Sequence, residues 1–100
     1  MELIYASGVL EEVSESAKYY EDEVDGLGKA FVGKVQDGVA EIKENPLMYR
    51  IIKGDFRRHL LNRFPFAVIY RIESQKIYIL AVMHLRRKPY YWISRDKSQP

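Results

Sequence analysis

The chain has 100 residues, 47% apolar, 13% aromatic and 30% charged, and this composition excludes a disordered chain. A single domain over residues 1–100 buries roughly 60–70% of the surface its unfolded form exposes, so without a single cysteine it needs no disulfide or cysteine-bound metal and suits a reducing compartment. The formal charge of +2 hides a division: residues 1–50 hold 5 Lys/Arg against 11 Asp/Glu, residues 51–100 hold 11 against 3, and the basic half is expected to face an anionic partner.

Glu2 to Tyr5 is short, apolar and partly β-branched, which predicts a first strand ending at Ser7-Gly8. Leu10, Val13, Ala17, Tyr20 and Val24 then recur at helical spacing, opposite a polar face of Glu11, Glu12, Glu15, Lys18, Glu21 and Asp22. Ser7 is the expected N-cap, and Glu11 and Glu12 sit where the helix dipole favours negative charge. Asp25-Gly26 breaks the pattern. Leu27, Phe31, Val35, Val39 and Ile42 form a second stripe that ends at Asn45-Pro46, because the residue before proline disfavours the helical region. Gly33 and Gly38 weaken this helix by up to about 1 kcal/mol each, which predicts close packing on the first helix.

Beyond Pro46 the period becomes extended. Tyr49 to Ile52 is a short strand, Lys53-Gly54-Asp55 a turn or bulge, and Phe56 to Asn62 continues as strand with Arg57 and His59 on one face and Arg58 and Leu60 on the other. Phe66–Ile72 and Ile77–His84 are apolar on both faces, as central strands are, and Glu73-Ser74-Gln75-Lys76 is a hairpin turn. The predicted fold is α+β, in the order β-α-α-β-β-β, a small antiparallel sheet covered on one face by a helical hairpin. Met1 to Ser7 lacks a basic leader followed by a long apolar stretch, and no window approaches the ~20 apolar residues of a membrane span, so a cytoplasmic location is expected. Asp96 to Pro100 reads as a polar frayed tail.

The chemistry concentrates in the basic half. The last strand runs into His84, Arg86, Arg87, Lys88 and Arg95 interleaved with Tyr90, Tyr91 and Trp92. Cations alternating with flat rings suit single-stranded nucleic acid, and they equally suit a protein interface. His84 is of the residue type most often used as an acid or base, although its place at a strand end fits hydrogen bonding to the next turn or packing on Trp92. Trp92 reads first as a plug of core or interface, and Tyr19 and Tyr20 as packing and solvent-edge residues. Two distant histidines and no cysteine make a poor metal site, and no cofactor is implied.

Several motifs occur in a telling order: Ala17 with Tyr19-Tyr20, Leu27-Gly28 with Phe31, Pro46 with Tyr49, and Phe64-Pro65-Phe66 leading to Ile69-Tyr70. The last is His84-x-x-Arg87-x-Pro89-x-x-Trp92-x-x-Arg95. Together they resemble the RelE/ParE toxin superfamily of type II toxin–antitoxin systems over nearly the whole chain. The C-terminal motif is most similar to its ParE-like plasmid-stabilisation members.

The resemblance implies a cytoplasmic toxin that arrests bacterial growth and is neutralised by a small acidic antitoxin, with no cofactor. ParE-like members inhibit DNA gyrase. RelE-like members are ribosome-dependent mRNA endonucleases, which would match Lys53, Arg57 or Arg58, Arg86 or Arg87, and Tyr90 or Tyr91 to catalytic positions. On either reading His84, Arg87, Trp92 and Arg95 are the expected binding residues, around a surface that also holds Arg57, Arg58 and Arg86. An inactive relative that only binds the antitoxin is a third reading.

Overall fold

A computed structural model describes residues 1–96. The elements are β1 (Glu2–Tyr5), α1 (Val9–Glu23), α2 (Leu27–Glu44), β2 (Arg50–Lys53), β3 (Phe56–Leu60), β4 (Phe66–Glu73), β5 (Lys76–His84) and a C-terminal 3₁₀ helix (Tyr91–Arg95). This is the α+β fold expected, with the helical hairpin across one face of the sheet. The sheet has five strands in the order β1-β5-β4-β3-β2. It gains a strand over the prediction because Gly54, at φ 56°, turns the chain back and makes β2 and β3 an antiparallel pair. It is mixed and not wholly antiparallel, because the helical crossover brings β1 parallel to β5.

The main core lies between helices and sheet, where Val9, Phe31, Val35, Val39 and Ile42 meet Val68, Tyr70, Ile77, Ile79 and Val82. Phe31 packs edge-to-face on Phe66 and Phe64, with centroids at 4.7 and 5.2 Å, and Tyr20 closes the cluster. The other face is not bare. Ala67, Ile69, Leu80 and Ala81 form a second core under Trp92, which is 1% exposed. A bulge opposite Ile69 and Tyr70 leaves Leu80 without a partner in β4 and adds its side chain to this second core beside Ala81. β4 and β5 are therefore apolar on both faces for two separate reasons.

Several local expectations are corrected. Ser7 does not cap α1; Gly8 holds that position at φ 92°, a left-handed conformation, with no side-chain cap. The N-terminus of α2 is closed by Glu21 of the preceding helix, whose carboxylate accepts from the Gly26 and Gly28 amides at 2.8 and 3.0 Å. The close helix–helix approach is at Gly28, where a Cβ would stand 2.4 Å from the Ala17 carbonyl oxygen. Gly38 instead faces Leu61, at 2.8 Å, and Gly33 faces open space.

Asp96 is not frayed. Its side chain is buried and pairs at 3.1 Å with Arg71, a buried arginine of β4 that also meets Asp55 and Glu73. The rest of the expected tail lies outside the described residues. Burial pulls the Arg71 guanidinium down, but hydrogen bonds and charge from Glu73 and Asp96 outweigh it and hold the group above its ordinary pKa. Among the described residues no helix is long and apolar enough to cross a membrane.

Candidate functional site

Strand alternation separates the two neighbouring arginines of β3. Arg57 points to the helix face, where its Nη1 donates to the carbonyls of Leu47 and Tyr49 at 3.1 and 2.7 Å and ties down the loop before β2. Arg58 points to the opposite face and stands directly across from Arg50 of β2. Like charges in register destabilise a strand pair, so this pairing has to be tolerated rather than favoured by the fold.

Arg50 and Arg58 form one wall of a groove of about 410 Å³. Its floor is Ala67, Ile69 and Met83, and its other wall is Leu85, Arg87, Pro89, Tyr90 and Trp92. Neither Arg50 nor Arg58 has a carboxylate partner among the described residues. Lys53 closes the β2 end of the site, its ammonium 4.7 Å from the Tyr90 ring centroid. The result is a cluster of cations above an apolar floor.

Behind the Arg87 wall lies a residue that sequence reading placed on the solvated face of α1. Glu12 is 8% exposed and reaches the edge of β5 just beyond the point where β1 stops. One carboxylate oxygen accepts from the Val82 amide and from Arg95 Nη1, both at 3.0 Å; the other accepts from Arg87 Nη1 at 3.0 Å and from the Tyr91 hydroxyl. Arg95 Nη1 also donates to the Leu80 carbonyl at 3.2 Å. Glu12 and Arg95 thus complete the ladder that β1 leaves unfinished. The signal was available: Glu12 lies three residues after Val9, on the buried side of the helix.

Arg87 stacks on Tyr91, its guanidinium carbon 3.6 Å from the ring centroid. Burial drives the Tyr91 phenol well above its ordinary pKa, and the hydrogen bond and charge of Glu12 push it further, against the opposing charges of Arg87 and Arg95. At neutral pH this phenol is a donor held by Glu12. It is not a base.

The remaining sequence-selected residues are spread out. Arg86 is exposed on the turn after β5, and its backbone amide donates to His84 Nδ1 at 3.0 Å, the turn contact anticipated for that histidine. His84 packs on Phe66 at 5.1 Å and not on Trp92, which meets Phe56 at 4.8 Å. His59 pairs with Glu41 at 2.7 Å and stacks on Tyr49 at 3.8 Å, far from the groove face. The groove brings together Arg58, Arg87, Tyr90 and Trp92 with the previously unselected Arg50, and Lys53 lies over Tyr90; Arg57 is on the other face. Among the described residues no group of His, Cys, Asp or Glu is arranged to hold a metal ion.

No curated protein matches the chain. A solved structure described as the chromosomal ParDE TA system from P. aeruginosa superposes with a TM-score of 0.62 at 20% identity, over 84% of this chain and 95% of that chain, a likeness of fold. The family model for the ParE toxin of the type II toxin–antitoxin system parDE matches residues 3–89, most of the length. The chain belongs to the ParE toxin family of type II toxin–antitoxin systems.

Proposed function

We propose that this protein arrests bacterial growth from the cytoplasm by inhibiting DNA gyrase, and that a cognate acidic antitoxin neutralises it by seating on the groove of Arg50, Arg58 and Arg87. Lys53, Arg58, Arg87 and Tyr90, one from each set of candidate nuclease positions, meet at the groove, while Arg57 and Tyr91 are engaged elsewhere. The observation that carries the protein-target reading is what they stand on: the guanidinium groups of Arg50, Arg58 and Arg87 over Ala67, Ile69 and Met83. That combination suits carboxylates presented on an apolar segment, as arginine and aromatic residues do at protein interfaces, better than it suits proton transfer at a ribose. Tyr90 and Trp92 line this surface and Lys53 lies over the Tyr90 ring, while Arg86 stands on the turn after β5, Arg95 joins Glu12 behind Arg87, and His84 packs on Phe66.

Expression without an antitoxin should stop growth, and the purified protein should block supercoiling by gyrase while leaving messenger RNA intact in a translation extract read by primer extension. Normal growth with soluble protein overturns the toxin reading. New codon-specific cuts with unimpaired supercoiling overturn the gyrase reading in favour of ribosome-dependent cleavage.

A further inference from the structure

Glu12 lies outside the groove, yet it holds one of its walls. One oxygen of Glu12 accepts from the Val82 amide at the β5 edge. The second oxygen serves Arg87 and Tyr91 instead, and the Tyr91 ring lies beneath the same guanidinium. Arg87 is thereby fixed through Nη1 and through its flat face. Its side chain stays 51% exposed, and its remaining donors have no acceptor among the described residues.

We propose that Glu12 is a positioning residue for the groove: it holds Arg87 in the orientation that receives an acidic group of a protein partner. This rests on the groove being the partner surface. Two effects of Glu12 on such a partner oppose each other. Its negative charge subtracts from the positive field of Arg87 and Arg95, and because Glu12 is buried, salt screens this less than it would a surface charge. Fixing a long, rotamer-rich side chain before the partner arrives gains about two- to tenfold. The positioning role requires the second effect to exceed the first.

The test is a double-mutant cycle on the full chain, with a fluorescein-labelled amphipathic peptide of glutamate and leucine as the probe. Glu12→Gln keeps an oxygen for Val82 and Arg95 and sets an amide NH2 against Arg87. It should weaken binding by up to about tenfold in the wild-type background, net of the charge it removes, and should not weaken it alongside Arg87→Ala. Equal losses in both backgrounds, or no loss in the first, overturn the positioning role. A wild type that does not bind the probe, or binding untouched by Arg87→Ala, overturns the groove reading itself. If Glu12→Gln does not fold, the wild type decides by nitrogen NMR: the Arg87 guanidinium should rotate slowly about Nε–Cζ while that of Arg86 rotates freely. Free rotation at Arg87 overturns the proposal.

Discussion

The Tyr70 hydroxyl, on the helix-facing side of β4, donates a 2.6 Å hydrogen bond to the Pro46 carbonyl, two residues beyond α2. The bond ties the start of the loop leaving α2 to the middle of the sheet. Burial chiefly raises the Tyr70 phenol from 10.0 to about 12, with Arg57 lowering it and Tyr49 raising it by smaller amounts. The folded pKa exceeds the unfolded one, so this stabilisation is complete below about pH 10 and is lost as pH rises towards 12. Denaturant unfolding should show stability falling across that window. Tyr70→Phe should remove about 1–2 kcal/mol at pH 7 and make the alkaline fall shallower, with Tyr91 supplying the remainder. An unchanged alkaline limb in the variant would locate the titration elsewhere.

Two glycines of α2 should respond oppositely to alanine. At Gly28 the new Cβ would collide with the Ala17 backbone, so Gly28→Ala should cost roughly 1–3 kcal/mol by separating the helices. At Gly33 there is open space, and Gly33→Ala should stabilise by up to about 1 kcal/mol. Thermal unfolding of the two variants side by side checks both signs.

The β4–β5 turn carries Ser74 and Gln75 at φ 53° and 64°, left-handed values that neither residue prefers. Replacing them with Asn-Gly, the pair such a two-residue turn favours, should raise stability by about 1 kcal/mol with no change at the groove. Equilibrium unfolding in urea measures it, and a decrease would mean that the native side chains make contacts outweighing the backbone relief.

Arg58→Ala should move stability and function in opposite directions. Removing one of two like charges in register should leave the fold unchanged or stabilise it by up to about 1 kcal/mol. The same change should weaken an acidic partner and make its binding less salt-dependent. Titrations at two ionic strengths, alongside a melting curve, read both effects. Loss of stability without loss of binding would show that Arg58 serves the fold.

What was legible in the chain followed the period of its apolar residues. The stripe of α2, the Val13, Ala17 and Tyr20 part of the α1 stripe and the two-sided burial of β4 and β5 were visible because each repeats over several residues; Leu10 and Val24, read into the α1 stripe, are exposed, and Val9 is buried instead. The β2–β3 hairpin was hidden, since Lys53-Gly54-Asp55 reads equally as a bulge and only the fold shows the chain reversing there. Glu12 and Arg71 were missed for a shared reason: a charged residue reads as solvated unless its partners are known, and apart from Glu73 beside Arg71 theirs lie far along the chain. Glu12 meets Val82 and Arg95, while Arg71 meets Asp96. The arginines of the basic half were found by composition, but composition could not divide Arg57 from Arg58 in use, and strand alternation could.

The closure of the fold by its final segment bears on how the protein is made. Residues Arg87 to Asp96 supply a groove wall, the plug of the second core and the partners of Glu12 and Arg71, across separations of up to 83 residues. Such distant contacts form late and slowly compared with the helical hairpin. Until residues 87–96 have left the ribosome, the growing chain therefore lacks the Arg87 wall of the groove, the Trp92 plug, the side-chain partners of Glu12 and the Asp96 partner of Arg71.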